Sequence, residues 1–239
     1  MDATQPSGIS SDDAIRRYTR RLLLTLLFMS DHPISDPRAL WPTLSEWEPM
    51  GMHEPVHRVR TRAGATAYVR PDDGSGPLLR QMALTSTVRA PEVLDARAGW
   101  LLLSALPGVP LHHVSVWRHH PTDMARIVTE ALRSLECAGV THGDMCLPNI
   151  LGDPRTGQLT GIVDWRYAGR FTREIDVASA VWSCGFNGYT EDVAVAVLHG
   201  CGWPRADGLE VARLSRIWLE LSGPSDVPNG ATLTLPGLS

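Results

Sequence analysis

The sequence predicts an α+β fold in two lobes, a small strand-rich first lobe and a helical second one. Two observations carry this. Between residues 56 and 104, short runs rich in β-branched and apolar residues are separated by Gly-containing turns. From Pro121 onward, apolar residues recur at helical spacing instead. Strands collected in one half and helices in the other point to α+β or to separate lobes, and the change of character falls at Leu106-Pro107-Gly108. The chain divides accordingly into 1–48 (an N-terminal helix and linker), 49–106 (first lobe), 107–221 (second lobe) and 222–239 (a Gly, Pro, Ser and Thr-rich tail).

Each element has its signal. Ser11 to Ser30 reads as a helix with Asp12 and Asp13 in its first turn. Its apolar run Leu22 to Met29 is too short to span a bilayer and is followed by Asp31-His32-Pro33 rather than a small-residue cleavage site, so it is expected to pack on the protein body. Pro33, Pro37 and Pro42 mark 31–48 as linker. Val56–Thr61 and Ala65–Arg70 read as strands around a Gly turn, and Asp72-Asp73-Gly74-Ser75-Gly76 as a second turn. Leu78–Val88 reads as a short helix and Gly99–Ser104 as an apolar strand. Met124, Ile127, Val128, Ala131, Leu132 and Leu135 mark a helix from Pro121 to Gly139, with Thr122 or Asp123 to cap its start. Strands at 149–152 and 158–164 and helices near 174–184, 190–200 and 207–221 complete the order.

Composition excludes several chemistries. The net charge is -4, which leaves no broad basic footprint for nucleic acid. All 22 basic residues counted as Lys+Arg are Arg. The absence of Lys removes a Walker-type P-loop, Schiff-base chemistry and the usual phosphate-contacting Lys of kinases, so any cation on a phosphate must be Arg. Cys137, Cys146, Cys184 and Cys201 form no C-x-x-C pair, which fits a reducing cytoplasm. His112-His113 and His119-His120 are adjacent pairs, whose side chains diverge and seldom chelate one ion.

The densest polar segment is Thr141-His142-Gly143-Asp144-Met145-Cys146-Leu147-Pro148-Asn149, followed by Asp164 after an apolar strand and by Asp176. Phosphoryl transfer needs a carboxylate to orient the attacking hydroxyl and hard oxygens to hold Mg²⁺ on the nucleotide. Asp144 over the acceptor, Asn149 beside the metal and Asp164 returned to it by the hairpin would meet those needs. Taken singly, each of these residues is better explained by turn chemistry; their shared spacing, with Asp176, favours catalysis. His142 reads as a buried histidine holding the loop. Trp165 and Trp182, near the site in sequence, either line it or belong to the core. Glu191 and Asp192 either contact a cationic substrate or cap a helix.

His142-Gly143-Asp144 with Asn149, then Ile162-Val163-Asp164-Trp165, Gly169 and Asp176-Val177-Ala178, resembles the aminoglycoside phosphotransferase family, most closely over 139–182 and also at the hinge-like Trp100–Leu111. The resemblance implies a protein-kinase-like fold with a nucleotide-binding first lobe and a catalytic, substrate-binding second lobe. It implies ATP or GTP and Mg²⁺ as cofactors. Asp144 would be the catalytic base, Asn149 and Asp164 the metal ligands, and the backbone at Ser104 and Leu106 the adenine contact. Asp176 would be the buried Asp that steadies the loop. The family's strand Lys falls at Arg70, which is either a phosphate contact or a solvated strand residue, with Arg166 or Arg170 next in line. No acid stands near Arg80-Gln81 to pair with it, so the Lys–Glu pair is absent. The stretch from Gly108 to His142 is short for the helical insert that shapes an antibiotic pocket. The implied function is γ-phosphoryl transfer to a hydroxyl of a small molecule, an antibiotic among the candidates. A nucleotide-binding pseudokinase and a kinase of a primary metabolite are the alternatives. The expected partners are a hydroxylated small molecule, with neither nucleic acid nor membrane; oligomeric state is left open.

Overall fold

The computed structural model describes residues 36–50, 55–85 and 88–222. The helix expected over Ser11–Ser30 and the tail from residue 223 lie outside these residues. Five strands form an antiparallel sheet in the order β1-β2-β3-β5-β4: β1 Ser45–Pro49, β2 His57–Arg60, β3 Thr66–Pro71, β4 Val93–Arg97 and β5 Trp100–Ser104. A helix, α1 Gly76–Thr85, follows β3. The second part holds a three-stranded sheet, β6 Val109–Pro110, β7 Ile150–Asp153 and β8 Gln158–Ile162, and the helices α2 Val114–Trp117, α3 Pro121–Ala138, α4 Arg173–Phe186, α5 Glu191–Gly200 and α6 Gly208–Ser222. The strand-then-helix segregation read from the sequence is therefore the architecture. Among the described residues no helix is long and apolar enough to cross a membrane.

Strand alternation decides what β3 presents to each side. Ala67 and Val69 point to one face, where they pack with Val59, Trp100, Leu102 and Trp41 in a small core. Tyr68 and Arg70 point to the other, the face that also carries Leu101 and Leu103 into the main core. Arg70, paired across the strands with Leu101, thus faces the second lobe. Trp41 Nε1 donates to Asp95 on β4 at 2.9 Å and fastens the segment before β1 over the small core. That segment was read as linker, yet it ends in β1, which pairs with β2.

The α3 periodicity buries Met124, Ile127, Val128, Ala131, Leu132 and Leu135, and Gly139 closes the helix in the left-handed region at φ 66°. Its start differs from expectation. His120 is the N-cap and makes no side-chain cap bond; Pro121 fills the first turn, and Asp123 binds Arg126 at 3.1 Å instead of capping.

Candidate active site

Residues 140–146, between α3 and the 3₁₀ turn Leu147–Asn149, have no regular structure, so their backbone amides need partners elsewhere. Helix α4 supplies them from one polar stripe. The Asp176 carboxylate accepts from the amides of His142 at 2.9 Å and Gly143 at 2.6 Å. Ser179 Oγ accepts from Met145, and Ser183 Oγ from Leu147, both at 2.9 Å. Asp176 is 1% exposed, and burial raises its carboxyl above the ordinary range while the two amides pull it back down.

His142 is fully buried and completes the loop. Its Nδ1 accepts from the amide of Asp144 at 3.3 Å, which puts the ring proton on Nε2, 2.9 Å from the carbonyl of Val163. The ring packs edge-on against Trp165, whose Nε1 donates to Ile162. Trp165 therefore belongs to the core behind the loop. Gly143 has φ 84°, and a Cβ there would lie 2.6 Å from the carbonyl oxygen of Tyr167, so only glycine lets the segment after Asp164 lie on the loop.

Asn149 and Asp164 converge because β7 and β8 pair between them. The amide of Val163 donates to the carbonyl of Asn149 at 2.9 Å, joining the two ends of the hairpin. Asn149 Nδ2 donates to the carbonyl of Asp144 at 2.9 Å, which leaves its Oδ1 as the amide oxygen for a ligand. Asp164 adopts φ 62°, a left-handed conformation that Asp tolerates and that marks functional sites. Asp144 Oδ1 is buried and has no hydrogen-bond partner among the described residues.

Arg70 reaches this group from β3. It is 8% exposed, and its guanidinium lies 3.3 Å from Asp164 Oδ1, bonds Ser75 Oγ at 3.2 Å and pairs with Asp73. Helix α1 carries no acid in its first turn and none at Arg80-Gln81. The carboxylate that holds the strand cation comes instead from the turn before the helix. Asp73 Oδ1 accepts from the amide of Ser75 at 3.0 Å and Oδ2 takes Arg70, so one side chain shapes the turn and anchors the cation.

At the hinge, the amide of Ser104 donates to the carbonyl of Glu92, while the amide of Leu106 makes no backbone bond among the described residues. The Leu106 side chain covers Gly161 of β8, where a Cβ would fall 2.4 Å from Leu106 Cδ1. Ser104 thus pairs with Ala67 on β3, the strand that carries Arg70, and Leu106 lies against β8, the strand that leads to Asp164.

Trp182 stacks on Phe186 at 4.7 Å and lies 6.4 Å from Trp218 on α6. Glu191 lies against Gly208, and Asp192 lines a cavity of about 500 Å³ between α3 and α5, which none of the candidate site residues lines. Ser179, Ser183 and Asp73 were missed from the sequence. The serines had a legible signal, polar residues at positions 176, 179 and 183 of an otherwise apolar helix.

Hard oxygens from Asn149 and Asp164 suit Mg²⁺, which takes few protein ligands beside phosphate oxygens and water. Among the described residues no group of three or more His, Cys, Asp or Glu side chains is placed to hold a metal by itself.

Residues 123–213 match the phosphotransferase enzyme family. A comparison with curated proteins gives no match. Among solved structures, aminoglycoside phosphotransferase APH(3'')-Id from Streptomyces rimosus is 20% identical, with 85% of this chain and 97% of that chain covered at a TM-score of 0.52. Its complex with ADP and streptomycin gives 20%, 84%, 97% and 0.54. WaaP in complex with acyl carrier protein gives 17%, 79%, 93% and 0.55. At these identities the likeness is one of fold. The family match thus covers residues 123–213, the segment that holds Asp144, Asn149 and Asp164, and the two-lobed architecture is the fold of these phosphotransferase structures.

Proposed function

We propose that the protein transfers the γ-phosphoryl group of ATP or GTP to a hydroxyl of a small molecule. The observation that carries this reading is Asp144: a buried, unpartnered carboxylate oxygen on a loop whose amides are tied to α4. A buried acceptor without a donor is costly unless a ligand supplies one, and a substrate hydroxyl would. Asp144 then accepts the hydroxyl proton as that oxygen bonds to the γ-phosphorus and the β–γ bridging oxygen leaves with the nucleoside diphosphate. Asn149 and Asp164 would hold Mg²⁺, which offsets negative charge on the phosphates when bound. Arg70 would turn from Asp164 to a phosphate while staying fastened to Asp73. The backbone at Ser104 and Leu106 would take the adenine edge.

A second reading has one observation behind it: Arg70 stands where a Lys would and engages Asp164, as a nucleotide-binding pseudokinase could tolerate. Asp144→Asn decides between them. Folding and Mg²⁺-nucleotide affinity should stay near the parent's, while turnover on an accepted substrate falls roughly a hundred- to ten-thousandfold. Parent-like turnover in the variant would remove Asp144 from the mechanism; a parent that binds nucleotide but phosphorylates nothing across a broad hydroxylated panel would favour the pseudokinase.

A further inference from the structure

Tyr167 stands beside both carboxylates of the proposed reaction. Its root lies on the catalytic loop: a Cβ on Gly143, the residue before Asp144, would fall 2.7 Å from Tyr167 Cβ and 2.6 Å from its carbonyl oxygen. The segment around it is tied down. The amide of Gly169 donates to the carbonyl of Thr141 at 2.9 Å, and that of Arg170 to the carbonyl of Tyr167 at 3.1 Å, closing a turn. Thr141 Oγ1 donates to the carbonyl of Phe171 at 2.8 Å. The ring is thereby rooted between the loop of the candidate base and the residue Asp164 that follows β8.

Its neighbours decide which part of the ring can meet a ligand. Phe171 packs edge-on at 6.3 Å, and Arg166 and Arg170 lie over the ring at 5.6 and 5.9 Å. With the ring so engaged, the hydroxyl is the part left to a ligand. The phenol oxygen accepts from the Arg166 guanidinium, and the charges of both Asp144 and Asp164 act on it. Arginine only donates. This bond therefore leaves the hydroxyl proton unused, and no described residue accepts it. Burial holds the phenol above its ordinary pKa, Arg166 pulls it down, and the two carboxylates raise it. Tyr167 is thus a neutral donor where both carboxylates are charged.

A transferring phosphoryl group passes between the hydroxyl oriented by the base and the metal on the nucleotide. Its charge is spread over equatorial oxygens, which are best met by donors fixed in advance. The chain has no Lys to supply one. We propose that Tyr167 is a further catalytic residue, whose hydroxyl donates to an equatorial oxygen of the γ-phosphoryl group in flight. This rests on the phosphotransfer reading. The acceptor oxygen bonds to phosphorus, the bond to the β–γ bridging oxygen breaks, and its electron pair leaves with the nucleoside diphosphate. The acceptor's proton goes to Asp144, and Tyr167 keeps its own throughout. Arg166 holds the phenol oxygen and polarises the O–H bond.

Tyr167→Phe tests this, because it keeps the ring on Gly143 and among its neighbours and removes only the hydroxyl. Calorimetry on the full chain reads the affinity of Mg-ADP alone and of Mg-ADP with aluminium fluoride, which mimics the phosphoryl group in flight. A melting curve and the Mg²⁺ dependence of ADP binding accompany each titration. The variant is expected to bind Mg-ADP, respond to Mg²⁺ and melt as the parent does. It should bind the fluoride complex about ten- to hundredfold more weakly. On any acceptor accepted from the hydroxylated panel, kcat should fall by a similar factor with nucleotide KM unchanged. An equal loss for ADP alone and for the fluoride complex overturns the proposal, since it marks a structural or nucleotide contact. A fluoride complex held as tightly by the variant as by the parent overturns the tyrosine's role alone. A parent that gains no affinity from aluminium fluoride overturns it too and, if it also transfers nothing to the panel, removes the phosphotransfer reading with it.

Discussion

Asp73 offers a sharp test of how this chain manages without lysine. The perturbation is Asp73→Asn. The amide oxygen can still accept from Ser75, so the turn before α1 keeps its bond, and only the charge facing Arg70 is lost. Both partners are well buried, with side-chain exposures of 10% for Arg70 and 13% for Asp73. In the variant, Asp164 is the only carboxylate among the described residues left in an ion pair with Arg70. On the proposed function, nucleotide with Mg²⁺ would ask Asp164 to turn to the metal, and Arg70 would then give up its remaining ion pair. The missing charge-assisted bond contributes about 1.5–3 kcal/mol, a rise of roughly ten- to hundredfold in the nucleotide Kd. The assay is nucleotide titration at several Mg²⁺ concentrations, with a melting curve beside each. The variant should need more Mg²⁺ to reach half-maximal binding, because Arg70 and the metal would then compete for Asp164. A variant that binds nucleotide as the parent does, at every Mg²⁺ concentration and with the same melting temperature, refutes the anchoring role.

Two further outcomes follow from helix α4. Ser179→Ala strips the buried Met145 amide of its acceptor; unfolding in denaturant should show a loss of about 1–3 kcal/mol, and turnover should fall more than nucleotide affinity does. Asp176 gives a pH dependence of definite sign. Its carboxyl is raised by burial, so the native state binds the proton more tightly than the unfolded chain. Its contribution to stability therefore rises as pH falls through the raised native value toward the ordinary carboxylate range, and is smallest above that window. The stability difference, parent minus Asp176→Asn, should grow on acidification, and a difference that shrinks would rule out burial as the dominant cause.

How much of this was legible depended on whether the signal was periodic. The α3 face and the strand carrying Arg70 could be read because burial imposes a period on them. β4 could not: Val93-Leu94-Asp95-Ala96-Arg97 is an edge strand with Leu94 48% exposed, so no face is consistently apolar. β1 hid among prolines for the same reason, since its residues are exposed or half-buried. At the site, Asp144, Asn149 and Asp164 stood out because their spacing is tight. Asp73 did not, because its turn chemistry is real: one oxygen does serve the turn, and the second oxygen's partner is set by the fold of β3 against α1. The cap expected at Thr122 or Asp123 failed through a competitor, Arg126, which sequence placed nearby but which gains its second bond from the carbonyl of Gly157.

The arrangement also explains how Asp144 can keep its Oδ1 atom without a partner. A loop without regular structure normally loses precision, because its backbone groups exchange partners with water. Here the amides of His142, Gly143, Met145 and Leu147 end on three side chains of one buried helix, and the amide of Asp144 ends on His142, itself fixed by Val163. The backbone on both sides of Asp144 is thereby specified without using the Asp144 Oδ1 atom. Asn149 adds a third constraint through the Asp144 carbonyl, again sparing the carboxylate. The polar stripe of α4 thus separates two tasks that one side chain could not perform together: Asp176, Ser179 and Ser183 hold the loop, and Asp144 keeps its Oδ1 atom free, as the proposed reaction would require.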